Sequence, residues 1–199
     1  MKYLRDIETA RISRFILMTS TLILLLAFIL PVPIVLFIQD TLYFSYDHDL
    51  FIRPPKAFRG MFIGLVWIAG TLLSFLFTKM YAEKKERPYK WTLPHILSLI
   101  VGIAICLLSI HHYYYFAGDT LAENDFFALT ENKLSLNDVD HVSREVAESN
   151  YEIFSYTFTT SNNEITVPYD SRDVEQTRFT YGLIDTYEWE VEDVFVDGE

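Results

Sequence analysis

Cys106 is the only cysteine in this sequence. An intramolecular disulfide is excluded, and with it a disulfide-stapled scaffold. Cys106 sits inside an apolar run and reads as a small packing residue. Chemical motifs are missing as well. There is no Gly-rich phosphate loop, no Gly-x-Ser-x-Gly elbow, no His-Glu-x-x-His and no Cys-x-x-Cys. No catalytic, cofactor or metal residue is therefore assigned, and the expectation is a protein that is not an enzyme. Basic side chains are scarce late in the chain. Residues 117–199 hold four of the 16 Lys and Arg but twenty of the 27 Asp and Glu, a balance of −16. Residues 1–116 hold the other twelve basic and seven acidic side chains, a balance of +5, and together the halves give −11. So acidic a segment repels phosphate backbones, which excludes nucleic acid as a partner.

What the chain does have is three long apolar runs. Residues 15–38, 60–78 and 93–110 contain no Asp, Glu, Lys or Arg. At about 1.5 Å per residue each can cross a hydrocarbon core of roughly 30 Å. The first exceeds the roughly 7–15-residue core of a signal peptide, and no small-x-small cleavage site follows it. It reads as a retained span, kinked near its far end by Pro31 and Pro33. The missing intramembrane charges argue against a pump, channel or transporter. Basic residues set the expected orientation. Lys2, Arg5, Arg11 and Arg14 precede the first run; Lys79, Lys84, Lys85, Arg87 and Lys90 separate the second from the third. Arg53, Lys56 and Arg59 lie between the first two. The expected layout is a cytoplasmic N-terminus over 1–14, a span over 15–38 and an outer loop over 39–59. A span over 60–78, a basic cytoplasmic loop over 79–92 and a span over 93–112 follow. An acidic extracytoplasmic domain over 113–199 ends the chain.

Small and hydroxyl residues share helix faces. Gly60, Gly64, Thr71, Ser74 and Thr78 align in the second run. Ser98, Gly102 and Ser109 align in the third, flanked by His95 and His112. Such faces let helix backbones approach in lipid, so they are the candidate packing residues, within the chain or between copies as a homo-oligomer. His95, His111 and His112 read as interfacial polar groups beside an aromatic belt, Tyr113 to Phe116, rather than as metal ligands. Asp47, His48 and Asp49 read as a solvated acidic turn. The loop's Leu42, Tyr43, Phe44, Tyr46, Leu50, Phe51 and Ile52 either lie among headgroups or dock beneath the C-terminal domain.

The C-terminal segment is patterned for strands. Residues 151–160 alternate, with Phe154, Tyr156 and Phe158 on one side. Asn162-Asn163 supplies turn chemistry, and Ile165, Val167 and Tyr169 alternate after it, which predicts a hairpin. Residues 125–130 and 133–136 read as shorter strands. Residues 137–149 suit either a helix, with Ser135 and Asp138 as a weak capping box, or a strand with Val142, Arg144 and Val146 on one face. Ser171 is placed to cap a short helix with Val174, Arg178, Tyr181 and Ile184 inward, weakened by Gly182. The twenty carboxylates lack calcium-loop spacing and read as a solvated face.

Residues 113–170 resemble the small β-barrel modules, related to pleckstrin homology domains, that follow transmembrane helices in many Gram-positive membrane proteins. The features that carry the likeness are the exit His111-His112-Tyr113-Tyr114-Tyr115-Phe116, the turn Leu136-Asn137-Asp138-Val139, and the long hairpin turning at Asn162-Asn163. Leu136 stands where tryptophan is usual. The resemblance implies a barrel for interaction rather than catalysis. The expected fold is therefore membrane α + β: three transmembrane helices, then a small mostly-β domain with one or two short helices. Its expected role is to present an acidic surface, beyond the bilayer, to a protein partner or cationic ligand, as an accessory or immunity-type subunit. Two alternatives stay open: a membrane-embedded enzyme or small transporter with a polar site of His95, Ser98, Ser109 and His112, and a structural scaffold of a membrane complex.

Overall fold

Five helices and eight strands follow from these patterns in a computed structural model that describes residues 2–128 and 130–197, with side chains from residue 12 onward. The side chains of Lys2, Arg5 and Arg11, as well as Leu129 and residues 198–199, lie outside the described residues. Two units divide the chain. One comprises the residues up to Leu42 and Pro55–His111; the other comprises Tyr43–Pro54 and the chain from His112.

The helical unit begins with α1 (Lys2–Leu26) and α2 (Pro31–Leu42). These were expected as one kinked span over 15–38. Instead the chain breaks over residues 27–30, and the two helices meet at 78°. Proline is the reason. Pro31 and Pro33 have no N–H to continue the α1 ladder, whereas Pro31 in the first turn of a new helix costs nothing. The two prolines therefore start α2. The second and third runs lie in α3 (Pro55–Lys84) and α4 (Thr92–His111), longer at both ends or nearly so than the apolar runs themselves. Both are long and apolar enough to cross a membrane, and the bent pair makes a third crossing if counted as one span.

α3 ends in a Schellman arrangement. The Arg87 N–H donates to Ala82 O at 3.0 Å, and the Glu86 N–H donates to Glu83 O at 3.0 Å. This turns the backbone into the left-handed region at Glu86, φ 53°, and Pro88 prevents further helix.

The second unit holds two open four-stranded sheets. The first is antiparallel, in the order β1 (Leu50–Ile52), β2 (Tyr113–Ala117), β3 (Thr120–Asn124), β4 (Asn132–Ser135). The supposed outer loop is thus partly an edge strand, with Ile52 paired to Tyr114 and Leu50 to Phe116. Of the strand expected over 125–130, residues 126–127 are a turn and none of the described residues is in a strand, Leu129 lying outside them: β3 takes its register from β2 and stops at Asn124, opposite Tyr113. The second sheet has the order β7 (Glu164–Pro168), β6 (Ile153–Thr159), β5 (His141–Ala147), β8 (Val191–Val196). Residues 137–149 are therefore mostly strand. Pairing on both sides, antiparallel to β6 and parallel to β8, outweighs the local helical spacing. A single 3₁₀ turn, Leu136–Asp138, precedes β5, and Ser135 gives it no side-chain cap.

One core joins the sheets. Tyr114, Phe116 and Leu121 from the first meet Val142, Tyr156, Phe158 and Ile165 from the second, all at least 95% buried. An amide clasp binds the sheets at the surface: Asn132 and Asn163 exchange hydrogen bonds at 3.2 and 2.7 Å. Arg144 grips Asp193 with two hydrogen bonds, directly opposite in the β5–β8 register. Between β7 and β8 runs α5 (Val174–Thr186), capped by Asp173 and not by Ser171, because the Asp173 carboxylate reaches the N–H groups of Glu175 and Gln176 at 3.0 and 3.1 Å. The cap rotates the expected inward face. Phe179, Leu183 and Ile184 pack on the core, while Val174 and Tyr181 are exposed. Gln176 is buried and holds the entry to the helix with both ends of its amide, donating to Pro168 O at 2.7 Å and accepting from Asp170 N at 3.1 Å.

α5 ends as α3 does. The Trp189 N–H donates to Ile184 O and the Glu188 N–H to Asp185 O, with Glu188 left-handed at φ 54°. A β-carbon there costs about 1 kcal/mol. Glu188→Gly in the full chain should therefore raise the unfolding free energy by about 1 kcal/mol, read from the near-UV circular dichroism transition. An unchanged or lowered midpoint would mean the turn carries no such strain.

Candidate functional site

Two places concentrate side-chain chemistry, one in each unit. The first is the seam between α3 and α4. Gly64 and Gly102 let the backbones meet. A Cβ on Gly64 would collide with Cys106 Sγ and stand 3.1 Å from the Cys106 amide nitrogen and from Gly102 O. A Cβ on Gly102 would stand 2.7 Å from Ile68 and 3.0 Å from Trp67. Gly60 is buried on α3, and Ser109 is buried on α4, where its hydroxyl donates to Ile105 O at 2.7 Å.

Hydroxyls join the helices further along. Thr71 donates to Trp67 O and lies 2.9 Å from Ser98 Oγ, while the Trp67 indole donates to Ser98 O at 2.9 Å. One helical turn on, Ser74 Oγ sits 3.2 Å from His95 Nε2. Trp91 O lies 2.6 Å from His95 Nδ1 and can only accept, which places the ring hydrogen on Nδ1 and leaves Nε2 to accept from Ser74. Tyr89 OH bridges Thr78 Oγ1 and His95 Nδ1, each at 3.0 Å. Thr78 in turn donates to Ser74 O. Every hydroxyl of this network has an acceptor within it. In a low-dielectric surrounding, unsatisfied polar groups are costly, so the network fixes the register of the hairpin.

The four residues expected on one polar face are not brought together. His95 and Ser98 belong to the network, but Ser109 bonds its own helix. His112 belongs to the other unit, fully buried, with Nδ1 donating to the carbonyl oxygen of Asn124 at 3.0 Å. Among the described residues, no three His, Cys, Asp or Glu side chains converge as metal ligands. Asp47, His48 and Asp49 diverge: Asp49 accepts from Gly118 N at 2.7 Å, and the His48 ring lies stacked on Tyr115.

That stack is part of the second place, the outer face of the first sheet. On β2 the core takes Tyr114 and Phe116, which leaves Tyr113 and Tyr115 on the opposite side. Tyr113 stacks between Tyr43 at 4.7 Å and Phe51 at 5.5 Å; His48 stacks between Tyr115 at 4.2 Å and Phe51 at 5.8 Å. Glu131 closes the wall. One carboxylate oxygen accepts from Tyr113 OH at 2.8 Å, and the other accepts from Tyr115 OH at 3.2 Å and pairs with Lys133 Nζ at 2.9 Å. Lys133 Nζ also lies 6.0 Å over the Tyr115 ring.

Charges on this wall are fixed. Burial works against the Glu131 charge, but Lys133 and the two tyrosine hydroxyls outweigh it and hold the carboxyl below its usual range. Burial, reinforced by Glu131, pushes the Tyr113 phenol up, so it stays a donor. Burial lowers His48 despite the pull of Asp47, Glu131 and Asp49, which suits an imidazole whose Nδ1 accepts from Ser45 N at 3.3 Å. At neutral pH the wall is thus a carboxylate rimmed by neutral aromatic rings. The tyrosine cluster was visible in the sequence. Glu131 was not, because nothing in its neighbourhood announces a partner 16 to 18 residues upstream.

Compared with known proteins, the chain matches no family model, no curated protein and no solved structure.

The seam makes a direct forecast. Gly64→Ala should destabilise the helical unit by about 1–3 kcal/mol, since the obstructing atoms include backbone. Gly70→Ala meets nothing within 4 Å and should be neutral or slightly stabilising. Unfolding in detergent with increasing dodecyl sulfate compares them. Equal behaviour of the two variants would remove Gly64 from the interface.

Proposed function

We propose that this chain is a multi-pass cell-membrane protein that presents its acidic, mostly-β unit outside the cytoplasm to a basic protein partner or other cationic ligand, without catalysis. The carrying observation is the Tyr113–Tyr115–Glu131 wall. Aromatic faces around a charged carboxylate suit a desolvated ammonium or guanidinium group, and Lys133 already occupies it in that manner. The surplus of carboxylates supports the reading by steering cations toward the unit. An interaction barrel, as the pleckstrin-homology-like resemblance implies, is compatible with two sheets on one core and a helix between the last two strands.

The orientation rests on two arguments. β1 pairs with β2, so the chain departs the sheet into α3 and returns to it from α4. A hairpin of that kind enters and leaves a bilayer on one side. Its far turn carries Lys84, Lys85, Arg87 and Lys90, which marks that turn as cytoplasmic and the sheets as outside. With the bent α1–α2 pair counted as one crossing, the N-terminus is cytoplasmic. The test uses Ser161→Cys in a Cys106→Ser chain. A maleimide that cannot cross membranes should label intact cells; labelling only after lysis would overturn the orientation. On the purified protein, Glu131→Gln should weaken binding of an Arg-rich peptide several-fold; unchanged binding would remove the wall from the reading.

One observation favours a second reading. Ser74 and His95 stand as hydroxyl and imidazole, and the Trp91 carbonyl orients the ring, which is the arrangement of an activated nucleophile. A hydrolase would further need an oxyanion donor aimed at the reacting carbonyl. The first reading predicts no reaction of Ser74 with a fluorophosphonate. Labelling that disappears in Ser74→Ala would replace it with a membrane hydrolase.

A further inference from the structure

The polar network of the hairpin lies along an open groove that the packing of α3 and α4 leaves unfilled. The groove has a volume of about 710 Å³ and is walled by Phe62, Ile63, Val66, Trp67 and Gly70. It runs from Phe62 to Thr78, about 24 Å along the helix, which exceeds one leaflet of a roughly 30 Å hydrocarbon core. At Thr78 and Trp91 it meets a second hollow of about 680 Å³. That hollow is different in kind. Lys85, Arg87 and Lys90 line it together with Tyr81 and Tyr89. The Schellman turn at Glu86 fixes where Arg87 leaves the helix. Among the described residues none of the three cations is in an ion pair, and neither Glu83 nor Glu86 lines the hollow.

We propose that these joined hollows bind one anionic glycerophospholipid, with its phosphate against Lys85, Arg87 and Lys90 and an acyl chain in the groove between α3 and α4. The inference rests on α3 and α4 crossing a bilayer, and it is independent of what the sheets bind. Three features select this occupant. The basic hollow lies at the turn, at headgroup depth, and the apolar groove extends from it toward the hydrocarbon. Tyr81 and Trp91 are exposed at the junction, where amphipathic rings favour the interface. A headgroup with its own cation would be repelled by three basic side chains in a hollow that no acidic side chain lines, whereas an anionic one meets complementary charge. A free phosphate would use the basic hollow alone and leave the groove without purpose.

The experiment follows tryptophan fluorescence of the full chain carrying Trp189→Phe, which leaves Trp67 and Trp91, both on the groove. The protein is reconstituted into phosphatidylcholine vesicles, and brominated phosphatidylglycerol or brominated phosphatidylcholine is titrated in. Each basic side chain near an anionic headgroup is worth about five-fold in affinity. Quenching by the brominated phosphatidylglycerol should therefore reach half its limit at a mole fraction at least ten-fold below that of the brominated phosphatidylcholine. The triple change Lys85→Gln, Arg87→Gln, Lys90→Gln should bring the two curves together. Gly70→Leu, which has open space for its side chain, should fill the groove and reduce the quenching limit while leaving the helices paired. Coincident curves for the unaltered chain would overturn the proposal, as would a preference that survives the triple change. Displacement of the brominated lipid by millimolar glycerol 3-phosphate would overturn it in favour of a free phosphate site.

Discussion

The pairing of β1 with β2 is the constraint on which the rest of this architecture depends. Three residues, Leu50–Ile52, extend a sheet whose other strands lie beyond two long apolar helices. Leu50 enters the core of the second unit, and Phe51 enters the aromatic wall on the opposite face. The same short strand therefore fixes three things: the connection to the helical hairpin, part of the hydrophobic core, and the surface that holds Glu131. Without it, Tyr113 would lose its stack on Phe51 and the sheet would expose a bare edge.

Within the helical unit the corresponding role falls to two glycines and a line of hydroxyls. Gly64 and Gly102 set how closely α3 and α4 approach, and Thr71, Ser74, Ser98 and His95 set their register. Apolar contact alone discriminates weakly between helix registers in lipid, because lipid tails offer the same contact. Directional bonds supply the discrimination. The cost is a shallow groove beside the seam, since Gly70 and the small hydroxyl side chains do not fill the space that larger residues would.

Much of this was legible in the sequence, and the failures have a common cause. α3 and α4 announce themselves by length and by the absence of charge, and the β6–β7 hairpin by its alternation around Asn162 and Asn163, because these signals are local. The break between α1 and α2 was half legible: Pro31 and Pro33 are plain, but whether proline bends one helix or begins another depends on what the following segment packs against. β1, the end of β3 and the strand character of residues 141–147 depend on partners far along the chain. No periodicity within Leu50–Ile52 could reveal a mate at Tyr114–Phe116. The face of α5 was misread because Asp173, and not Ser171, sets its first turn. For the site, Gly64, Thr71, Ser74, Ser98 and Gly102 share the seam they were assigned by spacing, whereas the contribution of Tyr89 and the closing carboxylate of Glu131 come from turns that no helical or strand repeat describes.

The clasp formed by Leu50–Ile52 bears on biosynthesis. This strand leaves the ribosome about sixty residues before its mate does, and on the proposed topology a whole transmembrane hairpin is made between them. Loop closure of that length costs little more than a short one once the intervening helices are seated. On that topology, an insertion arrested after the first of the two helices would leave the partners on opposite sides of the bilayer and Leu50 without its pairing partner. On that topology, β1 can find β2 only after both intervening helices have been made and seated.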